Sequence, residues 1–191
     1  MLFRSIARFL LLFTLALIVF LESAVKYQAI RSYENPSHYL SLKRADVFVA
    51  NPPQWVDTVK QTTLFLKKVL TQDETFFALP YDPIYYFLAG KDSPTRQLIF
   101  FDHINIRPEQ EKEIIGELEK KKVNFIVLSS RCRNTHEEGL GTFGKTYGLL
   151  LSRYLDEKFK AVAVFGNWED EPAWAWNHGT KIFKRIKPLV H

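Results

Sequence analysis

The chain has 191 residues, of which 47% are hydrophobic and 25% are charged. This length suits one domain with a real core and is too short for two ordinary domains plus an anchor. Lys and Arg exceed Asp and Glu by only 26 to 21, and the acidic residues are interspersed with the basic ones, so we expect no nucleic-acid partner. Cys132 is the single cysteine, which excludes a disulfide framework and a cysteine-based zinc site.

The N-terminus carries the strongest signal in the chain. Arg4 and Arg8 precede an unbroken apolar run over 9–21, and Glu22 follows it. With the flanking charged side chains reaching outward to the headgroups, this run makes a thin but usable membrane span. We predict a membrane anchor over 1–30, with the lipid bilayer as its partner. A cleaved signal peptide and a buried core helix remain as alternatives.

The charges around the apolar run predict its orientation. The basic residues precede it and the acidic one follows, so the basic side stays in the cytoplasm. We therefore expect a single-pass protein of the cytoplasmic membrane whose main body lies on the extracytoplasmic (periplasmic) side.

Residues 31–45 are polar and mixed, which predicts a juxtamembrane linker, and 46–191 is predicted as one α/β domain. Strands alternate with amphipathic helices in this part of the chain. The expected fold is therefore three-layered, a mostly parallel sheet with helices on both faces. The predicted strands are 46–50, 75–79, 98–101, 123–129, 161–165 and, as a partly polar edge strand, 181–186; the predicted helices are 52–70, 83–89, 108–122 and 144–159.

The octapeptide GLGTFGKT at 139–146 satisfies the phosphate-loop pattern G-x-x-x-x-G-K-[ST]. A true phosphate loop joins a buried strand directly to a helix, but here the predicted strand ends near Ser130 and RCRNTHEE intervenes. We interpret the glycines as a turn into a helix and Lys145 as a solvated residue of its first turn. We therefore expect no cofactor, and a nucleotide-binding enzyme is kept as a third hypothesis.

Residues 79–96 read LPYDPIYYFLAGKDSPTR, an apolar strand followed by a Pro-Asp-Pro turn, an aromatic helix and a polar loop. This segment resembles the soluble C-terminal region of bacterial multi-spanning GT-C glycosyltransferases related to dolichyl-phosphate-mannose–protein mannosyltransferases. The pattern D-x-x-x-Y-F-L-x-G-x-x-x-P-T-R falls here on Asp82, Tyr86, Phe87, Leu88, Gly90, Pro94, Thr95 and Arg96. VNFIVLSS, FGKTYGLLLSRYL and AVAVFGNW extend the likeness to roughly 10–187.

The resemblance implies a protein that works with polyprenyl-phosphate sugars outside the cytoplasmic membrane. In this family the catalytic acid lies in an early loop between membrane helices, and the carrier site lies among those helices. We expect neither in this chain, and so no catalytic residue. The expected function is that of a truncated or split extracytoplasmic domain, not catalytic by itself, with a multi-spanning glycosyltransferase as partner. The alternative is a free-standing anchored module that binds an envelope glycan or lipid.

Asp82, Tyr85, Tyr86 and Arg96 form the densest polar and aromatic group and are the candidate substrate-binding residues. In the functional interpretation Arg96 grips a phosphate or carboxylate and the tyrosines line a sugar or lipid. In the structural interpretation, which we favour, Asp82 caps the short helix and pairs with Arg96, and the rings lie in the core.

Three other groups are weaker candidates. Asp102 and His103 follow a predicted strand, where α/β sheets place ligands, but a surface histidine is favoured. The stretch 132–138, with Cys132 and His136, matches no usual ligand spacing, so we expect no metal site. Trp168, Trp174 and Trp176 suit packing against lipid or a partner's helices better than stacking on a sugar.

Overall fold

The computed structural model describes residues 2–50, 52–80, 82–101, 104, 106–130, 141–168 and 178–187. Its first element, helix α1, runs from Leu2 to Tyr33. The window Leu10–Gln28 is long and apolar enough to cross a membrane, with a mean hydropathy of 1.9, and none of it is buried. The predicted apolar helix at the N-terminus is confirmed.

A short antiparallel hairpin follows a single 3-10 turn at Pro36–His38. Its strands are β1 (Tyr39–Leu42) and β2 (Ala45–Phe48). Leu40 and Leu42 are buried against the next helix, because alternate residues of a strand point to the same side. The range 31–45, which we expected to be a linker, thus carries a helix end, the 3-10 turn and a core strand.

The second sheet is mixed. It is built from β3 (Phe76–Leu79), β4 (Phe125–Ser129), β5 (Phe159–Gly166) and β6 (Gly179–Arg185), in the spatial order β3-β4-β6-β5. Only β3 and β4 pair in parallel, whereas β6 is antiparallel to both of its neighbours. The class α/β is confirmed, and a mostly parallel sheet is not.

The prediction of β6 as an edge strand was wrong. It lies between β4 and β5, and it buries Thr180, Ile182 and Arg185. Of the lysines that made it look peripheral, Lys184 is exposed and Lys181 is half-buried. The Nζ of Lys184 lies 5.7 Å from the centre of the Phe125 ring.

Four helices accompany this sheet: α2 (Pro53–Val69), α3 (Ile84–Ala89), α4 (Pro108–Lys120) and α5 (Leu149–Lys158). Alternate strand residues enter two hydrophobic clusters. Phe76 and Val127 pack in the cluster that contains α2 and α3, whereas Phe77 and Ile126 pack in the cluster that contains α4 and α5. Both sides of β3 and β4 are therefore buried, which explains why these strands read as continuous apolar runs.

Two predicted elements differ from the structure. Residues 98–101 form no strand; the Phe100 N–H donates to the carbonyl of Pro80 at 2.8 Å, while Leu98 and Ile99 are exposed. The helix predicted from residue 144 begins at Leu149 instead, because Gly144 and Gly148 hold φ of +75° and +66° and keep the chain in a turn.

Candidate functional site

A group of buried polar residues lies where β3 and β4 end and β6 begins. This edge of the sheet is where α/β proteins place ligands, so it is the first region to search for a site. We call the group the polar seam, and its members are Trp55, Thr58 and Thr62 on α2, Tyr85 on α3, Ser129 on β4, and His178 and Thr180 at the start of β6. Trp55 is the most exposed of them, at 7%.

Two threonines join α2 to the start of β6. Thr58 and Thr62 are four residues apart and so lie on one face of the helix. The Thr58 hydroxyl donates to the His178 carbonyl at 3.0 Å, in a bond shared with the Gln54 carbonyl, and the Thr62 hydroxyl bonds the hydroxyl of Thr180. These buried hydrogen bonds fix the position of α2 along the start of β6.

The chain passes very close to α2 at Gly166, the last residue of β5. Its φ is +68°, and a Cβ atom there would overlap both the Thr58 hydroxyl and the His178 carbonyl oxygen. Only glycine adopts this positive φ and also fits into this space without strain.

An imidazole and a phenol meet inside the seam. Nε2 of His178 lies 3.2 Å from the Tyr85 hydroxyl, and both residues are fully buried. The Trp55 ring lies beside the imidazole, with centroids 6.1 Å apart. The pair can share one proton between nitrogen and oxygen, which orients the imidazole ring.

Two polar groups of the seam make no hydrogen bond to the described residues. The Trp55 Nε1–H and the Ser129 hydroxyl are buried and have no hydrogen-bond partner among the described residues. A buried polar group without a partner costs about 1–3 kcal/mol, and ordered water commonly satisfies such groups.

The predicted binding residues Tyr85 and Tyr86 both lie in the core. The Tyr86 hydroxyl accepts a hydrogen bond from the Ala78 N–H at 2.9 Å, which satisfies a donor on β3. Its ring stacks on Phe76 with centroids 4.8 Å apart. Burial raises the pKa of Tyr86 to about 12, so the phenol stays neutral and acts as a structural hydrogen-bond partner.

Asp82 and Arg96 lie in different environments. Asp82 is 4% exposed, and its carbonyl accepts from the Tyr85 N–H at 3.3 Å. Pro83, which has no capping side chain, holds the N-cap position of α3, and a capping role for the neighbouring Asp82 stays a prediction. Arg96 is exposed and lines a shallow surface depression with Gln110 and Glu113 of α4. The structure thus buries three of the four predicted residues and leaves Arg96 at the surface.

At the phosphate-loop match, a carboxylate from another helix binds the N-terminus of α5. Gly139 and Leu140 lie outside the described residues, and Lys145 is exposed in the turn before the helix. Oε2 of Glu111, a residue of α4 that is 4% exposed, accepts from the backbone N–H groups of Leu150 and Leu151 at 2.9 Å each. An anion of the protein already occupies the place that a phosphate would need.

Replacing Glu111 by alanine is expected to lower the free energy of unfolding by about 2–3 kcal/mol, because two helix amides lose their acceptor. Urea unfolding of the full chain in detergent micelles, followed by circular dichroism, measures the change. The matched control is Glu113→Ala on the exposed side of the same helix, expected within about 0.5 kcal/mol of the parent. Equal effects of the two substitutions would contradict the capping role.

Several predicted candidates lie outside the described residues: Asp102, His103, Cys132, His136, Glu137, Glu138, Trp174 and Trp176. Trp168 is described and half-buried, and the Nζ of Lys181 lies 4.3 Å from the centre of its ring. Within the parts of the chain that the structure describes, no three His, Cys, Asp or Glu residues are grouped as a metal would require.

His178 and Glu111 were not identified from the sequence. The available signal for the seam was the set of threonines on α2, which occupy positions of the buried stripe where apolar residues are the norm. No protein-family model, curated protein or solved structure matches the chain.

Proposed function

We propose that the chain is the extracytoplasmic domain, in truncated or split form, of a membrane glycosyltransferase-like protein that uses polyprenyl-phosphate sugars. Helix α1 anchors it in the cytoplasmic membrane, and the three-layered body stands on the periplasmic side. It is not catalytic by itself and acts with a multi-spanning subunit that supplies the catalytic loop and the carrier site.

The observation that carries the proposal is the exposed apolar surface of α1. Leu12, Phe13 and Phe20 are 59–68% exposed, and the run 10–21 around them contains no charged residue. Apolar area in water costs about 25 cal/mol per Å², so a helix of this kind needs a cover on every side. A bilayer supplies that cover. The extracytoplasmic side is proposed from the charges that adjoin the apolar run, Arg4 and Arg8 before it and Glu22 after it.

The segment that carries the resemblance supports the proposal at the level of fold. Gly90 ends α3 at φ +73°, and its N–H donates to the Tyr86 carbonyl at 2.9 Å. The Lys91 ammonium then bonds the Gln72 carbonyl at 2.8 Å, and the Thr95 hydroxyl bonds the Gln97 carbonyl at 2.7 Å. The glycine and threonine of the pattern thus shape the loop in this chain.

A cross-linking experiment tests the partner and the side of the membrane together. A membrane-impermeant, amine-reactive cross-linker is added to intact spheroplasts that carry the full chain, and the products are purified through a C-terminal tag. We expect cross-links to a multi-spanning polypeptide, because exposed lysines such as Lys145 and Lys184 lie on the body of the protein. The purified complex should transfer sugar from a polyprenyl-phosphate donor.

Two outcomes overturn the proposal. Cross-linking that requires prior lysis of the spheroplasts would place the body in the cytoplasm. Recovery of the chain alone, with no change in sugar transfer when it is removed from the membranes, would favour the free-standing envelope-binding module.

A further inference from the structure

The chain between the apolar span and the hairpin β1–β2 is short and folded. The apolar window ends at Gln28, and α1 continues for five residues to Tyr33, about 8 Å along its axis. The corner that follows is closed: the Asn35 side chain accepts from the Ser37 N–H at 3.1 Å, and the His38 N–H bonds the Asn35 carbonyl at 2.9 Å. The hairpin therefore begins close to the end of the helix.

His38 also ties this corner to the far strand of the hairpin. The Val49 N–H donates to the His38 carbonyl at 2.9 Å, and Nδ1 of His38 lies 3.2 Å from the Val49 carbonyl oxygen. The end of the hairpin that adjoins α1 is thus held in place, and it lies at about the depth of the headgroup layer, which is roughly 5–8 Å thick on each side of the hydrocarbon.

Two aromatic rings stand on the outer face of the hairpin at this end. Tyr39 and Phe48 are directly paired across the strands, and their centroids are 4.7 Å apart. Leu40 points the other way, into the core, so the ring pair faces outward, and Phe48 is 39% exposed. Aromatic rings in this position are typical of a membrane interface, where one edge is apolar and the other is wet.

The charges of the same region complement an anionic surface. Residues 22–48 contain four basic side chains and three acidic ones, and Lys26 lies 3.9 Å from Glu22 in an ion pair. All seven are exposed; the basic ones are Lys26, Arg31, Lys43 and Arg44. Basic side chains close to a bilayer surface are attracted to the phosphates of anionic lipids.

We propose that the hairpin β1–β2 docks on the headgroup layer of the bilayer. The rings of Tyr39 and Phe48 lie in the headgroup layer, and Arg31 lies among the lipid phosphates. Lys26, two residues before the end of the apolar window, reaches toward them with its long side chain. This inference rests on the proposed membrane anchoring by α1 and adds to it a second, peripheral contact that holds the body against the membrane surface.

Spin labels at three sites test the docking. Single cysteines are introduced as Phe48→Cys, Ile18→Cys and Leu149→Cys in a Cys132→Ser background, labelled with a nitroxide, and the full chain is reconstituted in vesicles of phosphatidylethanolamine and phosphatidylglycerol. Ile18 lies within the apolar window, and Leu149, at 52% exposed, lies at the start of α5. Circular dichroism confirms that each variant is folded.

Accessibility to oxygen and to a water-soluble nickel complex is then compared by power saturation. At position 48 the ratio of oxygen to nickel accessibility is expected to exceed that at position 149 by about threefold or more, as for a side chain in the interface. If the oxygen-to-nickel ratio at position 48 is as low as in water while that at position 18 is as high as in a membrane, the docking is overturned and the anchor stands. Protection of 48 from both reagents indicates a second copy of the chain and also overturns it. An aqueous ratio at 18 overturns the anchor itself.

Discussion

Replacing Gly166 by alanine is expected to lower the free energy of unfolding by about 3 kcal/mol or more. A non-glycine residue in the left-handed region costs about 1–2 kcal/mol, and an overlap with buried neighbours adds about 1–3 kcal/mol. Both conditions hold at Gly166, where the new methyl group would overlap the Thr58 hydroxyl and the His178 carbonyl oxygen. Urea unfolding of the full chain in micelles measures the difference.

Gly116 is the matched control. It lies in α4, is exposed, and has no atom within 4 Å of the place that its Cβ would take. The same glycine-to-alanine change there removes a helix breaker and is expected to stabilise the protein by about 0.5–1 kcal/mol. If Gly166→Ala were as stable as the parent, the close approach of β5 to α2 would be wrong.

Replacing Arg185 by methionine is expected to lower the free energy of unfolding by about 3 kcal/mol. This arginine is 5% exposed; its Nε–H donates to the Val123 carbonyl at 3.1 Å and its Nη1 lies 3.0 Å from Oε1 of Glu119. Its other amino group donates to the Tyr154 hydroxyl, which in turn donates to the same carboxylate at 2.7 Å. Removing one partner of a buried, hydrogen-bonded ion pair typically costs about 3–5 kcal/mol, and we take the lower end because Glu119 keeps 39% of its side chain in solvent.

Arg153→Met is the control for this substitution, since Arg153 is exposed on α5 and its replacement should stay within about 0.5 kcal/mol of the parent. Arg185→Lys separates charge from shape: it keeps the positive charge but loses the planar fork, so most of the loss should persist. Full stability of Arg185→Lys would show that only the charge matters.

The elements with strong local signals were predicted well from the sequence. Helix α4 has Pro108 at its start and a buried stripe of Ile114 and Leu118, and the structure gives it nearly the expected bounds. Strands β3 and β4 were found because both of their sides are apolar. These signals come from residues within one element, so no knowledge of the partners is needed.

The predictions that failed depend on which elements meet. The position of β6 is set by pairing with β4, more than 50 residues earlier in the chain, and its lysines obscured its central place. Residues 98–101 are apolar enough for a strand, but only Phe100 is buried there, and its ring packs edge-on against Phe77. The polar seam combines side chains of four separate elements, so no local pattern could reveal it.

The order of strands in the sheet affects how the chain can fold while it is being synthesised. β6, the central strand that joins β4 to β5, is also the last of the four to leave the ribosome. Until it emerges, β5 has no hydrogen-bonding neighbour in the sheet and β4 has only β3. Helix α1 precedes all four strands in the chain, so under the proposed anchoring its insertion into the membrane can precede closure of the sheet.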